Sequence, residues 1–422
     1  MIKKILLLVV LLSSLFSYDS TVEIVKKMDK LPKIVLQDAS EANVDLNFRK
    51  KFFKIFIGDL KVSSHFNVVD KYLQSSYEGN LEENFLSDLN LDLILRYKLL
   101  LEDNIVVAKV KLINAKSGQV NSEKSYKISK KIRYPFLAHK IAVELNKNIG
   151  APSIQWMEQF VIFAKYTDSK KSEIIVSDYT LSFQKVVVKG GLNIFPKWAN
   201  KSQSAFYYTS YNGVKPTLYK VNIRSGKRKK VISSDGMLVC SDISEDGNKL
   251  LLTMAPEGQA DIFVYDLNRK NLEKVTKYSG IDVNGNFIDK DKRVVFVSDR
   301  LGYPNIFAQK IGTRSVEQMV YHGRNNNSVS ALDNYIVYSS REKSSEFGSK
   351  TFNLYLISTK TDYIRQLTAT GKNLYPRFAN DNETIMFIKY YNNQSALGVI
   401  RLNANKSYHF PLKVGKIQSI DW

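Results

Sequence analysis

A chain of 422 residues with 44% hydrophobic content has enough apolar side chains for more than one packed domain, and its 24 Tyr and 22 Phe favour sheet over helix. The net charge of +21 has no matching nucleic-acid signature. The densest basic run, Lys227-Arg228-Lys229-Lys230, falls where a turn is expected and reads as a solvated loop, without the interleaved aromatics of a nucleic-acid groove. A single cysteine, Cys240, excludes an internal disulfide and reads as a small buried apolar residue.

Lys3 and Lys4 precede the apolar run at 5–12, which exits into SSLFS. Such a run is far shorter than the roughly 20 residues of a membrane span, so residues 1–17 read as a cleaved export signal. Its removal takes the formal charge from +21 to +19.

Residues 18–150 read as an α+β domain. KIVLQ at 33–37 predicts a strand. LNFRKKFFKIFIGDL at 46–60 puts Phe48, Phe52, Phe56 and Leu60 on one helical face, and FNVVD at 66–70 reads as the next strand. A meander of LILRYKLLL, IVVAKVKLI and EKSYKIS turns at Glu102-Asp103-Asn104 and Lys116-Ser117-Gly118. A last helix runs from Pro135 to Ile149, with Gly150 as its stop. His139 flanks its apolar stripe and reads as a structural residue rather than a ligand.

From 153 to 422 the helical spacing disappears and a repeat takes over. The anchors Trp198, Ile243, Phe287, Leu332, Phe378 and Trp422 are 45, 44, 45, 46 and 44 residues apart, with about four short strands per interval. That is the signature of propeller blades, and it predicts an all-β six-bladed β-propeller. In VVFVSDRLGYPNIFAQKI the break at 298–304 is then the hairpin between the second and third strands of one blade, with Gly302 supplying the turn. The first strands, 160–189, lack an innermost partner, and IQSIDW at the C-terminus has no blade of its own. Placing 417–422 beside the run that begins at Phe160 closes the ring.

Motifs for chemistry are missing. There is no Gly-x-Ser-x-Gly, His-Glu-x-x-His or phosphate-cradling glycine loop, and no cofactor is expected. The four histidines, His65, His139, His322 and His409, lie far apart in the sequence. Asp289-Lys290-Asp291 opens like a calcium loop but lacks its glycine and closing glutamate, so it reads as a turn. The blade-to-blade loops at 233–238, 277–284, 321–327 and 369–375 fall on one face around the mouth of the central channel. They are the candidate contact surface.

RYPFLAHKIAVELNKNIGAP, SDGMLVCSDISEDGNKLLLTMAPEGQADIFVYDL and FIDKDKRVVFVSDRLGYPNIF resemble the closing helix and the blades of the TolB family, the periplasmic propellers of the Tol-Pal system. The resemblance covers nearly the whole mature chain. It implies a periplasmic, monomeric, non-enzymatic scaffold that supports outer-membrane integrity and envelope constriction at cell division. Its implied partners are the lipoprotein Pal at the channel mouth and the inner-membrane protein TolA at the N-terminal segment. Carried over, the Pal contacts fall at Met237, Leu238, Val283, Asn284, His322 and Arg324, and the TolA segment begins Tyr18, Asp19, Ser20, Thr21, Val22, Glu23. The usual Ser-Pro-Asp-Gly turns survive only in forms such as Ser244-Glu245-Asp246-Gly247. The alternatives are a propeller enzyme, either a lyase or a peptidase fragment, and a small-ligand sensor.

Overall fold

The computed structural model describes residues 30–79, 89–341, 351–361, 363–391 and 394–422. The predicted export signal and the segment from Tyr18 to Glu23 lie outside the described residues. Among the described residues no helix is long and apolar enough to cross a membrane.

The N-terminal elements run β1 (Lys33–Asp38), α1 (Leu46–Ser63), β2 (Asn67–Val68), β3 (Leu73–Gln74), β4 (Leu93–Glu102), β5 (Ile105–Asn114), β6 (Val120–Ile128) and α2 (Tyr134–Asn148). The sheet order is β2-β1-β4-β5-β6, with β3 also pairing β1. α1 starts where Asp45 caps it, its carboxylate accepting from the Phe48 N–H at 2.8 Å. Phe52, Phe56 and Leu60 of α1 and Leu137, Ile141 and Leu145 of α2 pack with Tyr97, Leu99 and Ala108 of the meander. α1 runs three residues beyond its predicted end, because Val62 is buried in the next hydrophobic cluster together with Trp156 and Tyr179. The strand expected at 66–70 shrinks to Asn67–Val68, a two-residue parallel pairing at the end of β1.

Beyond a 3-10 turn at Gln155–Glu158, the regular structure is all strand and propeller-like. Strands β7 (Val161–Asp168), β8 (Lys171–Ser177) and β9 (Gln184–Val188) form an antiparallel sheet, and the free side of β7 pairs with Lys416–Asp421. Consecutive strands within 193–233, 238–274 and 282–318 build three further four-stranded sheets. The strands from Arg324 to Pro411 belong to one eight-stranded sheet, whose two parts meet at a single parallel bridge, Phe352 to Lys372. The hairpin at 298–304 joins Arg293–Ser298 to Asn305–Lys310, with Gly302 at φ +79.

The basic run is a correction. Arg228, Lys229 and Lys230 belong to the outermost strand Arg228–Ser233, and only Lys227 is in the turn. Among the described residues the strand pairs with one neighbour, which leaves its other edge unpaired there. Charged side chains there discourage pairing with another chain.

The two regions meet through a buried charged cluster. His139 of α2 places Nδ1 2.9 Å from Asp59 of α1 and Nε2 3.3 Å from Asp178, in the connection after β8; all three are fully buried. The Tyr179 hydroxyl donates to the other oxygen of Asp59. Asp178 also accepts from the Phe183 N–H at 2.6 Å and the Thr180 N–H at 2.9 Å. Burial opposes charge on His139, but the adjacent Asp59 and Asp178 carboxylates outweigh it and raise its pKa to about 9. The Tyr408 hydroxyl donates to the Lys61 carbonyl at 2.6 Å, and Phe136 packs edge-on against Phe160 and Phe183. His139 is thus a structural residue, as predicted. It sits at the junction and is fully enclosed, where the helical pattern alone suggested a flank.

Two outcomes follow. Ile420 is 1% exposed and in register with Phe163 of β7, so Ile420→Ala should cost about 2–5 kcal/mol in urea unfolding, whereas Val414→Ala, at 77% exposure, should cost under about 0.5 kcal/mol. The His139 contribution has the sign of a raised folded pKa. It is fully present below the ordinary imidazole value near 6.5 and is lost as pH rises through about 9, up to about 3 kcal/mol. Unfolding measured from pH 6 to 10 should show that decline in the natural chain. His139→Gln should be less stable at pH 6.5 and lack that component of the slope.

Candidate functional site

Six strands converge on a central cavity: Asn193–Trp198, Leu238–Ile243, Asp282–Ile288, Arg324–Leu332, Lys372–Phe378 and Lys416–Asp421. Each carries a register shift against its neighbour. Asn325 (φ 56) is left-handed at one of the two shifts in Arg324–Leu332, and at four further shifts a non-glycine residue takes a left-handed backbone: Phe195 (φ 53), Asn284 (φ 55), Ser328 (φ 52) and Tyr375 (φ 54). All four line the cavity at one end of these strands. A bulge inserts a residue and re-aims the side chains around it, and holding such residues left-handed costs on the order of 1 kcal/mol each. The repeated distortion marks this end as the candidate site.

That cavity has a volume of about 440 Å3. Met237, Val283, Phe352 and Leu374 supply apolar lining. Lys197, Lys372 and Arg377 supply three cations, and among the described residues no carboxylate lines this end. The opposite end opens into a second cavity of about 730 Å3, where Glu245, Asp246, Asp289, Asp291 and Asp333 gather. Among the described residues one mouth is therefore lined by cations and the other mainly by carboxylates.

Between the two lies a ring of side chains, each from the residue just before a repeat anchor: Lys197, Asp242, Asn286, Ala331, Arg377 and Asp421. Lys197 Nζ is 3.0 Å from Asp421 and 3.4 Å from Asp242, and Arg377 Nε is 3.7 Å from Asp421. Asp421 also accepts from the Trp198 N–H at 2.8 Å, and Asp242 accepts from the Phe287 N–H at 2.9 Å. In both cases the carboxylate ties one inner strand to the next. Burial disfavours charge on Lys197, but the Asp421 and Asp242 carboxylates raise its pKa above the ordinary value and keep it charged.

Of the residues carried over as partner contacts, the structure brings Met237, Val283 and Asn284 together on the 440 Å3 cavity. Leu238 requires a correction. Its side chain is fully buried with Cys240, Leu250 and Leu252, because strand alternation turns it away from Met237, and its carbonyl is taken by the Thr209 hydroxyl at 2.9 Å. His322 is exposed beside the ring of Tyr355 at 4.5 Å and does not line the cavity. Arg324 begins its inner strand, opposite Arg341. The sequence reading missed Phe195 and the charged ring, and reached Tyr375 only as the last residue of the 369–375 loop. The ring had a signal, because stepping back one residue from every anchor reads Lys, Asp, Asn, Ala, Arg, Asp.

The site has the makings of a binding surface. Cys240 lines the cavity, but burial pushes its thiol pKa far up, so it is not poised as a nucleophile. Among the described residues no group of three His, Cys, Asp or Glu side chains is placed to hold a metal ion. Asp289, Lys290 and Asp291 form a tight turn, all three at positive φ.

Comparisons with known proteins agree with this architecture. The TolB beta propeller domain family matches residues 157–422. A Tol-Pal system protein TolB of Wolinella succinogenes is 52% identical over 413 residues, covering 97% of this chain and 98% of that protein. Its counterpart in Campylobacter jejuni is 49% identical over 421 residues, covering all of both chains. The crystal structure of TolB from Acinetobacter baumannii superposes with a TM-score of 0.72 over 93% of this chain and 97% of that one; at 16% identity this speaks to the fold alone. A match of this extent to both the family and its full-length members means that the chain belongs to the TolB family of Tol-Pal system proteins.

Proposed function

We propose that the chain is a non-enzymatic periplasmic scaffold of the Tol-Pal system. Residues 1–17 direct export, 18–150 form the α+β domain, and 153–422 form a six-bladed propeller closed by the C-terminal strand. The pairing of Lys416–Asp421 with β7 supports closure, and the near-equal anchor spacing supports six blades. The scaffold binds a Pal-like lipoprotein at the basic mouth and a TolA-like inner-membrane protein through the segment from Tyr18 to about Lys30. In that role it serves outer-membrane integrity and envelope constriction at division.

The observation that carries this reading is the mouth itself. Four left-handed bulge residues, an apolar lining and three cations converge where Met237, Val283 and Asn284 lie, in a chain of the TolB family. Left-handed residues held within bulges of four strands, rather than in turns, fit a surface kept for recognition. Apolar residues at the centre of such a surface carry much of the affinity when a partner excludes water from them.

Affinity isolation from an envelope extract with the mature chain should recover a Pal-like lipoprotein. Met237→Ala combined with Val283→Ala should weaken that capture about tenfold, while Val186→Ala on the outer strand β9 should leave it unchanged. Removing residues 18–30 should abolish capture of a TolA-like protein and spare the lipoprotein. An eluate without the lipoprotein would count against the proposal.

A further inference from the structure

We infer that the basic mouth contains a carboxylate-binding site centred on Arg377, which receives an acidic side chain flanked by apolar residues on an inserted segment of a partner protein. The identity of that partner rests on the function proposed above. The site itself rests on the following geometry.

In the ring of pre-anchor residues, Lys197 stands between two carboxylates, Asp421 and Asp242. Among the described residues Arg377 has one carboxylate neighbour, Asp421, and feels the like charge of Lys197. On its far side the ring position is Ala331, which brings no charge. On its near side Asp421 is already engaged by Lys197 at 3.0 Å and by the Trp198 N–H at 2.8 Å. The remaining separation, 3.7 Å from Arg377 Nε, is outside hydrogen-bond range. Arg377 Nε is buried without a hydrogen-bond partner, and Nη1 reaches only the Pro376 carbonyl at 3.5 Å. The Arg377 side chain is 15% exposed, so most of its surface has left water. A buried, under-bonded guanidinium is costly in isolation, and its planar fork matches a carboxylate.

The surroundings select the same ligand. Lys372 holds Nζ over the rings of Phe352 and Tyr390, at 5.8 and 5.7 Å, and has no ion pair assigned among the described residues. Together with Lys197 it makes the charged lining of this end cationic among the described residues, whereas the opposite mouth is mainly acidic. An anion entering from the basic side meets an attractive field within low-dielectric walls. The apolar lining adds a preference for hydrophobic residues beside the charge. Asn327 Oδ1, also on the cavity, is buried without a partner and supplies an acceptor for a backbone N–H of the same segment.

The test uses the mature full-length chain, selectively labelled with 15N-arginine. The Arg377 Nε–H signal is assigned by its absence in R377Q, which is checked for folding by its melting curve. N-acetylglutamate α-methylamide, whose one carboxylate is the side chain's, should shift that signal saturably, while N-acetylglutamine α-methylamide and sodium chloride at matched ionic strength should not. No shift, or one that chloride reproduces, overturns the site. A second arm measures the Kd of the soluble domain of the Pal-like lipoprotein. R377Q and K372Q should each weaken it at least tenfold, with R377K recovering part of the loss. If R377Q binds the lipoprotein as well as the natural chain does, the partner-segment assignment falls and the scaffold function stands. If the natural chain does not bind the lipoprotein at all, the scaffold function falls and the glutamate titration still decides the carboxylate site.

Discussion

The last strand of the chain is hydrogen-bonded to β7, some 250 residues earlier, and much of the molecule depends on that pairing. Lys416–Asp421 lies between β7 and the inner strand at 193–198, which it reaches through Asp421. It buries Ile417 and Ile420 in a cluster that includes Trp156, Tyr179 and Val62. Ladder hydrogen bonds, apolar burial and a shared carboxylate therefore act on one short segment. Because the contact is so non-local, its pairing and burial must offset the closure entropy of a long loop.

The same segment connects the basic mouth to the N-terminal region. Asp421 shares its carboxylate with Lys197 and sits beside Arg377, both on the mouth cavity. Its neighbour Trp422 packs edge-on against Trp156 at 5.2 Å, and Trp156 packs against Tyr179 at 5.1 Å. Tyr179 in turn bonds Asp59 of α1, beside His139 of α2. A continuous line of packed and hydrogen-bonded side chains thus runs from the basic mouth to the helices of the N-terminal sheet. Spatial continuity of this kind establishes contact; coupling requires two states that both ends bias.

The mouth also illustrates how a repeat diverges. All six strands keep a register shift, because the bulge is a backbone device that each repeat can reuse. The residues at the shift differ: Phe195, Asn284, Ser328 and Tyr375 share a left-handed backbone but not a chemistry. The ring one residue before the anchors diverges further, alternating charge through Arg377, Asp421, Lys197 and Asp242 and then becoming neutral at Asn286 and Ala331. Where charge alternates the strands are tied together, and where it stops one cation is left with half a partner.

Periodicity, turn residues and spacing determined much of this protein without coordinates. The helical stripe from Phe48 to Leu60, the strand meander after it and the anchors near every 45 residues are local patterns, and local hydrogen bonding and side-chain direction follow from them. They also reached Met237, Val283 and Asn284, since loops between repeats must lie at strand ends. Tertiary structure alone decided that Leu238 turns inward, that Arg228 to Lys230 lie on an open strand edge, and that Asp59, His139 and Asp178 meet. Those outcomes depend on which neighbour each face packs against and on charges brought together from 39 to 80 residues apart. A one-dimensional pattern records which residues are apolar and how often they recur; it does not record which carboxylate arrives beside which cation.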